Sequence, residues 1–459
     1  MGCTHARVLF LHVHKHIPIA TSCLVAYLHY CLLVHMQKYV HSFSSFFFFL
    51  NMYAALLSFL PLKVVFSGTN MYAVKPWGSV FLIGCSVGTY AMGIGMRWRE
   101  SSVTIIEKKT SPSYERQANR RCVLTEQTIK LLTDLGCTEG RVRSIVRPSK
   151  GWRFLTPQLE VRRESSTFPG CAIGETTFHC EEGALLRMLR TEFLRFGGSV
   201  NWETEAYEPF ESSDGTDTWS LRKDYGFGTG AEAILTTAAN TALTAQLVAP
   251  DPGRIAVLFD VQQGVSDVET HDKGALFGDQ SDTFILVGDG AALHGWLLDE
   301  RRCAWRSVRR ATTKNAADAE PGEQWDKLVK DMLQRAERKS TQVVALPGTT
   351  PAIQDSAYHH RISVLGDGLL PVDPFEWRGD NARCMIEEAS TLCRAFYGKK
   401  YHRGDVATLL RGVEQDGIVK RANLLRRDLQ DAEHFLAVHP LLQPEPSSTV
   451  DEAKKLEES

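Results

Sequence analysis

The sequence has no Cys-x-x-Cys pair among its eleven cysteines, no surplus of positive charge and, over its first seventy residues, no aspartate or glutamate. Each absence excludes something. Scattered cysteines such as Cys85, Cys137 and Cys303 have neither zinc-ribbon nor thioredoxin-type spacing, and read as reduced thiols in a reducing compartment. With 52 basic against 54 acidic residues and a net charge of −2, the chain lacks the basic excess that displaces counterions from nucleic acid. Charged residues at 23% and hydrophobic ones at 43% exclude a wholly disordered or fibrous protein. At 459 residues the chain exceeds one ordinary core, so more than one domain is expected.

The acid-free stretch is a different physical object from the rest. Residues 1–70 carry only Arg7, Lys15, Lys38 and Lys63 as charged side chains, which leaves 71–459 at −6. Ile17–Met36 and Phe43–Phe66 are apolar runs about as long as the roughly 20 residues that cross a hydrocarbon core. No small-residue secretory cleavage site follows them, and Ala6 breaks the myristoylation pattern that Met1-Gly2-Cys3 opens. His12, His14 and His16 alternate, but nothing nearby completes a ligand set, so no metal is expected. Two readings of residues 1–70 stand. One is a membrane anchor, which puts the protein on a membrane; the other is an upstream extension ahead of a start near Met71, which leaves it cytoplasmic.

From Ser79 the pattern changes. Ser79–Gly84 is a short continuous apolar run ending in glycine, the signature of a strand buried on both faces. Val87–Arg99 follows with Gly88, Ala91, Gly93 and Gly95 close to helical spacing, and Val103–Glu107 is a second β-branched strand ending in an acid. Strand, glycine turn, helix, strand and acid outline a dinucleotide-binding βαβ unit. The turn glycine admits a pyrophosphate to the backbone, the helix N-terminus faces it with free N–H groups, and the acid accepts from ribose hydroxyls. Glu107 lies 23 residues after Gly84, near the expected interval. Against the G-x-G-x-x-G fingerprint, Gly84 matches, Ser86 replaces the second glycine and Thr89 the third, with Gly88 just before it.

Further on, Thr125–Leu135 predicts a helix stopped by Gly136, and Glu182–Phe196 another with Leu185, Leu186, Leu189 and Phe193 on one face. Arg254–Val261, Thr283–Gly288 and Ala292–Leu298 read as hairpin-like strands. Asn315–Thr341 predicts a polar helix, Arg361–Leu365 a buried strand, and Asn381–Phe396 and Val406–Leu436 two more helices.

The segment Val364-Leu365-Gly366-Asp367-Gly368-Leu369-Leu370-Pro371, then Gly379 and the helix with Glu387-Glu388-Ala389, resembles one family. It is similar to the flavin-dependent aromatic hydroxylases, the para-hydroxybenzoate hydroxylase- and salicylate hydroxylase-like monooxygenases. The resemblance covers most of 78–436 in the family's order. It implies FAD as cofactor, NADH or NADPH as electron donor, and hydroxylation of a small, aromatic substrate. It also implies that Gly366 and Asp367 contact the ribityl–pyrophosphate part of FAD, with Pro371 and Gly379 beside the ring. The family's middle strand, which ends in Asp-Gly, finds its candidate at Gln246–Arg254, with Asp251 in the Asp position and Pro252 before the glycine. Glu181 and Glu182 stand where the family carries a cofactor-contacting Arg, and Asn381 replaces a turn glycine.

The expected fold is α/β: a Rossmann-like FAD/NAD(P)-binding domain with an interleaved antiparallel β substrate domain at roughly 211–350 and C-terminal helices, followed by a disordered tail at 437–459. Phe284, His294 and Trp296 are candidates to line the substrate pocket. The alternative is a catalytically degenerate protein of the same fold, acting as a binding or interaction module.

Overall fold

The computed structural model describes residues 78–110, 120–169, 171–211, 219–223, 226–237, 241–249, 257–288, 290–311, 325–346, 352–353, 361–368, 375, 377–397 and 406–436. The apolar leader with its alternating histidines, Asp251, Pro371 and the C-terminal tail lie outside the described residues, as does the side chain of Asp367. No helix among the described residues is long and apolar enough to cross a membrane, and no group there could hold a metal ion.

In chain order the elements begin β1 (Ser79–Ile83), α1 (Val87–Trp98), β2 (Ser102–Ile106), β3 (Arg121–Thr125) and α2 (Glu126–Leu135). Next come β4 (Trp152–Leu155), β5 (Val161–Ser165), β6 (Thr177–Glu181), α3 (Glu182–Arg195) and β7 (Ser199–Asn201). β8 (Ala233–Thr236) precedes the long strands β9 (Val257–Asp267), β10 (Thr283–Gly288), β11 (Ala291–Leu297) and β12 (Arg302–Arg310). The chain closes with α4 (Lys327–Gln334), β13 (Glu337–Leu346), β14 (Ile362–Val364), α5 (Asn381–Phe396) and α6 (Val406–Leu436).

Two sheets organise the molecule. The first is parallel, in the order β14-β8-β1-β2-β7, with Leu82 opposite Leu235 on one side and Ile105 on the other. Its strands read as continuous apolar runs because both faces are covered. Val80, Leu82, Val103, Ile105 and Leu235 join the helical layer of α1, α2, α3 and α5, while Phe81, Ile83, Ile106, Ile234 and Val364 form a second core behind. Glycines let α1 sit deep in that layer: a Cβ on Gly93 would come within 2.8 Å of Phe193, and one on Gly95 within 2.7 Å of both Cys393 and Leu135.

The second sheet has seven strands, β13-β9-β12-β11-β10-β4-β5, antiparallel throughout except for β10 with β4. A small antiparallel sheet pairs β3 with β6, and Ala206–Glu211, Trp219–Lys223 and Gly226–Ala231 form a meander. This is the expected α/β architecture, with three departures in detail. β4 and β5, expected in the nucleotide domain, belong to the seven-stranded sheet, and β8, inside the segment expected to be antiparallel, belongs to the parallel one. Of the helix expected at Asn315–Thr341, the described residues show Lys327–Gln334 as α4, and Glu337–Thr341 pairs with β9 as part of β13, while 315–324 lie outside the described residues. The β-branched run that follows, Val343-Val344, continues that pairing, and sheet formation overrides the helical propensity of Glu337-Arg338-Lys339.

Candidate functional site

The carboxyl ends of β1, β2, β8 and β14 converge, and in open parallel sheets that edge is where ligands bind. Backbone bonds knit the ends together: Gly84 N donates to Ile106 O at 2.8 Å, Thr237 N to Ile83 O at 3.1 Å and Leu365 N to Thr236 O at 2.8 Å. Gly84 turns with φ at +90°, a conformation a side chain would strain, and the chain enters α1 three residues later. Gly366, at φ +58°, opens the 3-10 turn that follows β14, next to Thr237, and its amide is held by Glu388 Oε2 at 3.1 Å.

Ser86 is the N-cap of α1, in extended backbone with φ −141°. Its Oγ accepts from Thr89 N at 3.1 Å, and Thr89 Oγ1 accepts from Ser86 N at 3.2 Å, a reciprocal capping box. The two residues that break the glycine fingerprint thus have a local reason to be there: they satisfy donors that α1 would otherwise leave open. Thr89 Oγ1 also hydrogen-bonds Thr237 Oγ1 at the end of β8. Gly88 belongs to the helix packing, since a Cβ there would lie 3.2 Å from Met385 of α5.

Glu107 is buried at the end of β2, with Oε2 accepting from Cys85 N at 2.6 Å and Oε1 from Lys109 N at 2.9 Å. Burial and the Glu107 carboxylate together push the Cys85 thiol far up, so it is a neutral thiol. Glu182, the acid in the family's arginine position, is buried beside Arg120, whose Nε lies 3.5 Å from Oε2. The reversed charge is therefore neutralised inside the protein. Gly379 takes φ +63° and its carbonyl accepts from Val123 N at 2.7 Å, so it docks against β3. Asn381 opens α5 and its Oδ1 accepts from Arg421 of α6 at 2.9 Å.

The strand that joins β1 to β14 at this edge is β8, followed directly by Thr237. Gln246–Arg254, where it was expected, provides only Val248–Ala249 in a two-residue antiparallel pairing with Ala352–Ile353 among the described residues. Thr237 is the site residue that sequence reasoning missed. Its only signal is the apolar run Ala233-Ile234-Leu235, since no Asp-Gly follows it.

A second constellation lies over one face of the seven-stranded sheet. Period-2 alternation sets Ile285, His294 and Arg306 in one row, with Gln263 next along it, and sends Phe284 to the opposite face, where its ring meets Phe277. Of the three pocket candidates, His294 and Trp296 share the row's face, and Phe284 is core on the other side. His294 is buried, and its proton affinity is lowered by that burial and then by Arg121 and Arg306. The Phe375 backbone interacts with its ring and partly offsets that lowering. Phe375, Trp377 and Phe435 of α6 cover the row, around a cavity of about 10 Å³, the volume of one water.

Beside this face, Arg121 of β3 is buried against Asp282, with Nη2 3.1 Å from Oδ1 and the Phe168 ring 4.5 Å from the guanidinium. Asp282 also accepts from Lys150 N at 2.9 Å, Ser149 Oγ at 3.1 Å and Thr283 Oγ1 at 2.9 Å, and His179 Nδ1 lies 3.3 Å away. Burial opposes its charge, but His179, Arg121 and the Lys150 amide outweigh burial and hold the carboxyl well below the usual range. α6 is fastened nearby through Arg378 to Asp431 at 2.7 Å and Arg427 to Asp380 at 2.7 Å.

The backbone frame at this edge has the parts that binding a dinucleotide requires. The Gly84 turn, the Val87 and Gly88 amides that have no partner inside the helix, and Glu107 are arranged as such a ligand needs. The side chains differ, since hydroxyls stand where bare glycine would.

No family model and no curated protein matches the sequence. Solved structures do. HpxO of Klebsiella pneumoniae, complexed with FAD and uric acid, matches with TM-score 0.61 at 13% identity, over 83% of this chain and 93% of that one. PqsL of Pseudomonas aeruginosa, in complex with 2-aminobenzoylacetate, matches with TM-score 0.57 at 14% identity, over 78% and 98%. FqzB matches with TM-score 0.60 at 16% identity, over 82% and 87%.

Proposed function

We propose that this chain, which has the fold of the FAD-dependent monooxygenases, binds FAD along the carboxyl edge of its parallel sheet and oxidises a small aromatic substrate, with NADH or NADPH as electron donor. The observation that carries the reading is the convergence of the Gly84 turn, the start of α1 and Glu107 at one edge, with Gly366 next to Thr237. In this reading the Val87 and Gly88 amides hold the pyrophosphate, with Ser86 and Thr89 flanking it. Glu107 takes the ribose hydroxyls, and Gly366, Asp367, Pro371 and Gly379 follow the ribityl chain and the ring. Thr237 occupies the place first sought at Asp251. FAD, once bound and reduced, supplies the oxygen chemistry.

The chain's own residues bind, orient and exclude water. The Gln263–Arg306–His294 row lies on the face that meets the aromatic cover, so a planar substrate stacks against Phe375 and Trp377 with an acidic group toward Arg306. His294, neutral at pH 7 because it is buried between guanidinium groups, offers either a donor or an acceptor to that substrate. The cavity is only water-sized, so the Phe435 end of α6 has to shift to admit a ring. Uric acid and 2-aminobenzoylacetate, carried by the two neighbours, are small and conjugated, which supports this substrate class.

The test is an absorption spectrum of the purified full-length chain after incubation with FAD and desalting, then NADH and NADPH oxidation against a panel of aromatic acids. A retained flavin band and substrate-stimulated oxidation are expected. A protein that is folded by circular dichroism yet retains no flavin at tens of micromolar FAD would sink the oxygenase. It would favour the binding-module reading, which the self-satisfied capping box at α1 supports. Localisation follows residues 1–70: a membrane if they are an anchor, the cytoplasm if the protein starts near Met71.

A further inference from the structure

We propose that the nucleotide crevice is closed on itself by a chain of hydroxyls, so that FAD enters by opening it and is held more loosely than a glycine turn would hold it. The proposal rests on the flavin reading of the crevice. The direction of the chain follows from what each atom can do. Thr237 Oγ1 lies 3.3 Å from Ile83 O, which only accepts, so the Thr237 hydroxyl donates there. Thr89 Oγ1 then donates to Thr237 Oγ1, and Ser86 Oγ donates to Thr89 Oγ1 at 2.9 Å. The Thr89 and Ser86 amides are bound in return by Ser86 Oγ and Thr89 Oγ1. No hydroxyl proton of the chain is left to face a ligand.

A second observation points the same way. The Cys85 amide, just after the turn glycine, is spent on Glu107 Oε2 at 2.6 Å, and that is the carboxylate a ribose would need. Ser86 is 6% exposed, Thr89 and Thr237 are 0% exposed and Glu107 is 5% exposed, so these bonds are not already shared with solvent. A pyrophosphate approaching α1 therefore finds two amides open among the described residues, Val87 and Gly88, and three, at Cys85, Ser86 and Thr89, already satisfied. Gaining a donor here means breaking a bond that exists, whereas at a glycine turn it means only displacing water. Each such bond is worth roughly three- to tenfold in affinity.

The test is an equilibrium titration of FAD into the full-length apoprotein, read by quenching of flavin fluorescence, for the wild type, Ser86→Gly, Ser86→Gly/Thr89→Ala and Thr89→Ser. Glycine at an N-cap costs helix stability little relative to serine, and alanine is a good helix former, so the variants keep α1. The double variant is expected to bind FAD about tenfold or more tightly than the wild type, Ser86→Gly to fall between, and Thr89→Ser to match the wild type. Equal or weaker binding by the double variant overturns the proposal and leaves the flavin reading intact. Binding by none of the four proteins overturns both. Circular dichroism of each variant checks the fold, and if the double variant is unfolded, Ser86→Gly alone decides by the same comparison.

Discussion

Replacing Asp282 by alanine should cost about 3–5 kcal/mol of stability, because it strands a buried guanidinium. Arg121 is 1% exposed at its side chain and Asp282 6%, and the two lie 161 residues apart in sequence. Without the carboxylate, Arg121 keeps the Ser149 hydroxyl at 2.9 Å and the Phe168 ring, while its Nε and Nη1 have no hydrogen bonds among the described residues to fall back on. The Lys150 amide and the Thr283 hydroxyl lose their acceptor as well. Against a typical total of about 5–15 kcal/mol, that is a large share. The assay is urea unfolding of the wild type, Asp282→Ala, Arg121→Met and the double variant. Removing both partners leaves no unpaired charge, so the double variant should be more stable than the sum of single losses implies, by about 2–3 kcal/mol. A loss under about 1 kcal/mol in Asp282→Ala, or single losses that add within about 0.5 kcal/mol, would refute the reasoning.

Acidification should destabilise the protein in two stages. Burial holds His179 and His294 below their ordinary affinity for protons, so the unfolded chain binds more protons than the folded one once the pH drops below about 6.5. Both therefore lower stability as the pH falls through that range, and depressed Asp282 adds its own loss below about pH 4. A urea midpoint that stays constant from pH 8 to pH 5 contradicts this. Gly379→Ala should cost about 2–4 kcal/mol, since φ is +63° and a Cβ would sit 2.8 Å from Val123 Cγ2 and 3.1 Å from Arg121 O. Gly140→Ala, with open space around it, is the control and should be neutral or better. His294→Leu should change the unfolding midpoint little, because a buried imidazole gives way to an apolar side chain of similar size at the cost of one backbone interaction with Phe375, while abolishing the substrate-stimulated NAD(P)H oxidation proposed above. A fall in midpoint would assign His294 to the core instead.

Local chemistry was legible wherever sequence neighbours decide the outcome. Ser79–Ile83, Val87–Trp98 and Ser102–Ile106 lie where period and turn signals put them, and Gly136 ends α2 in the left-handed conformation that suits glycine. Glu107 was found by its interval from Gly84 and reaches the edge as expected. Ser86 and Thr89 were legible as departures from a glycine pattern, but not as a capping box, because that reading requires the start of α1 to be known to the residue.

The sequence by itself determined the class of the protein. A buried strand, a glycine turn, a helix and a second buried strand dictate a Rossmann-like βαβ unit, and each of these elements depends on residues within a few positions of one another. Tertiary structure alone decided which strand completes the edge, placing Ala233–Thr236 beside Ser79–Ile83 when the wording Asp-Gly pointed elsewhere. It also decided that Glu182 meets Arg120, that Thr89 meets Thr237 across 148 residues, and that Arg121 meets Asp282. The physical reason is common to all of these. Burial removes water as the alternative partner, so each polar group must find another within the protein. Which one it finds depends on how sheets and helices stack, and local sequence patterns carry no record of that.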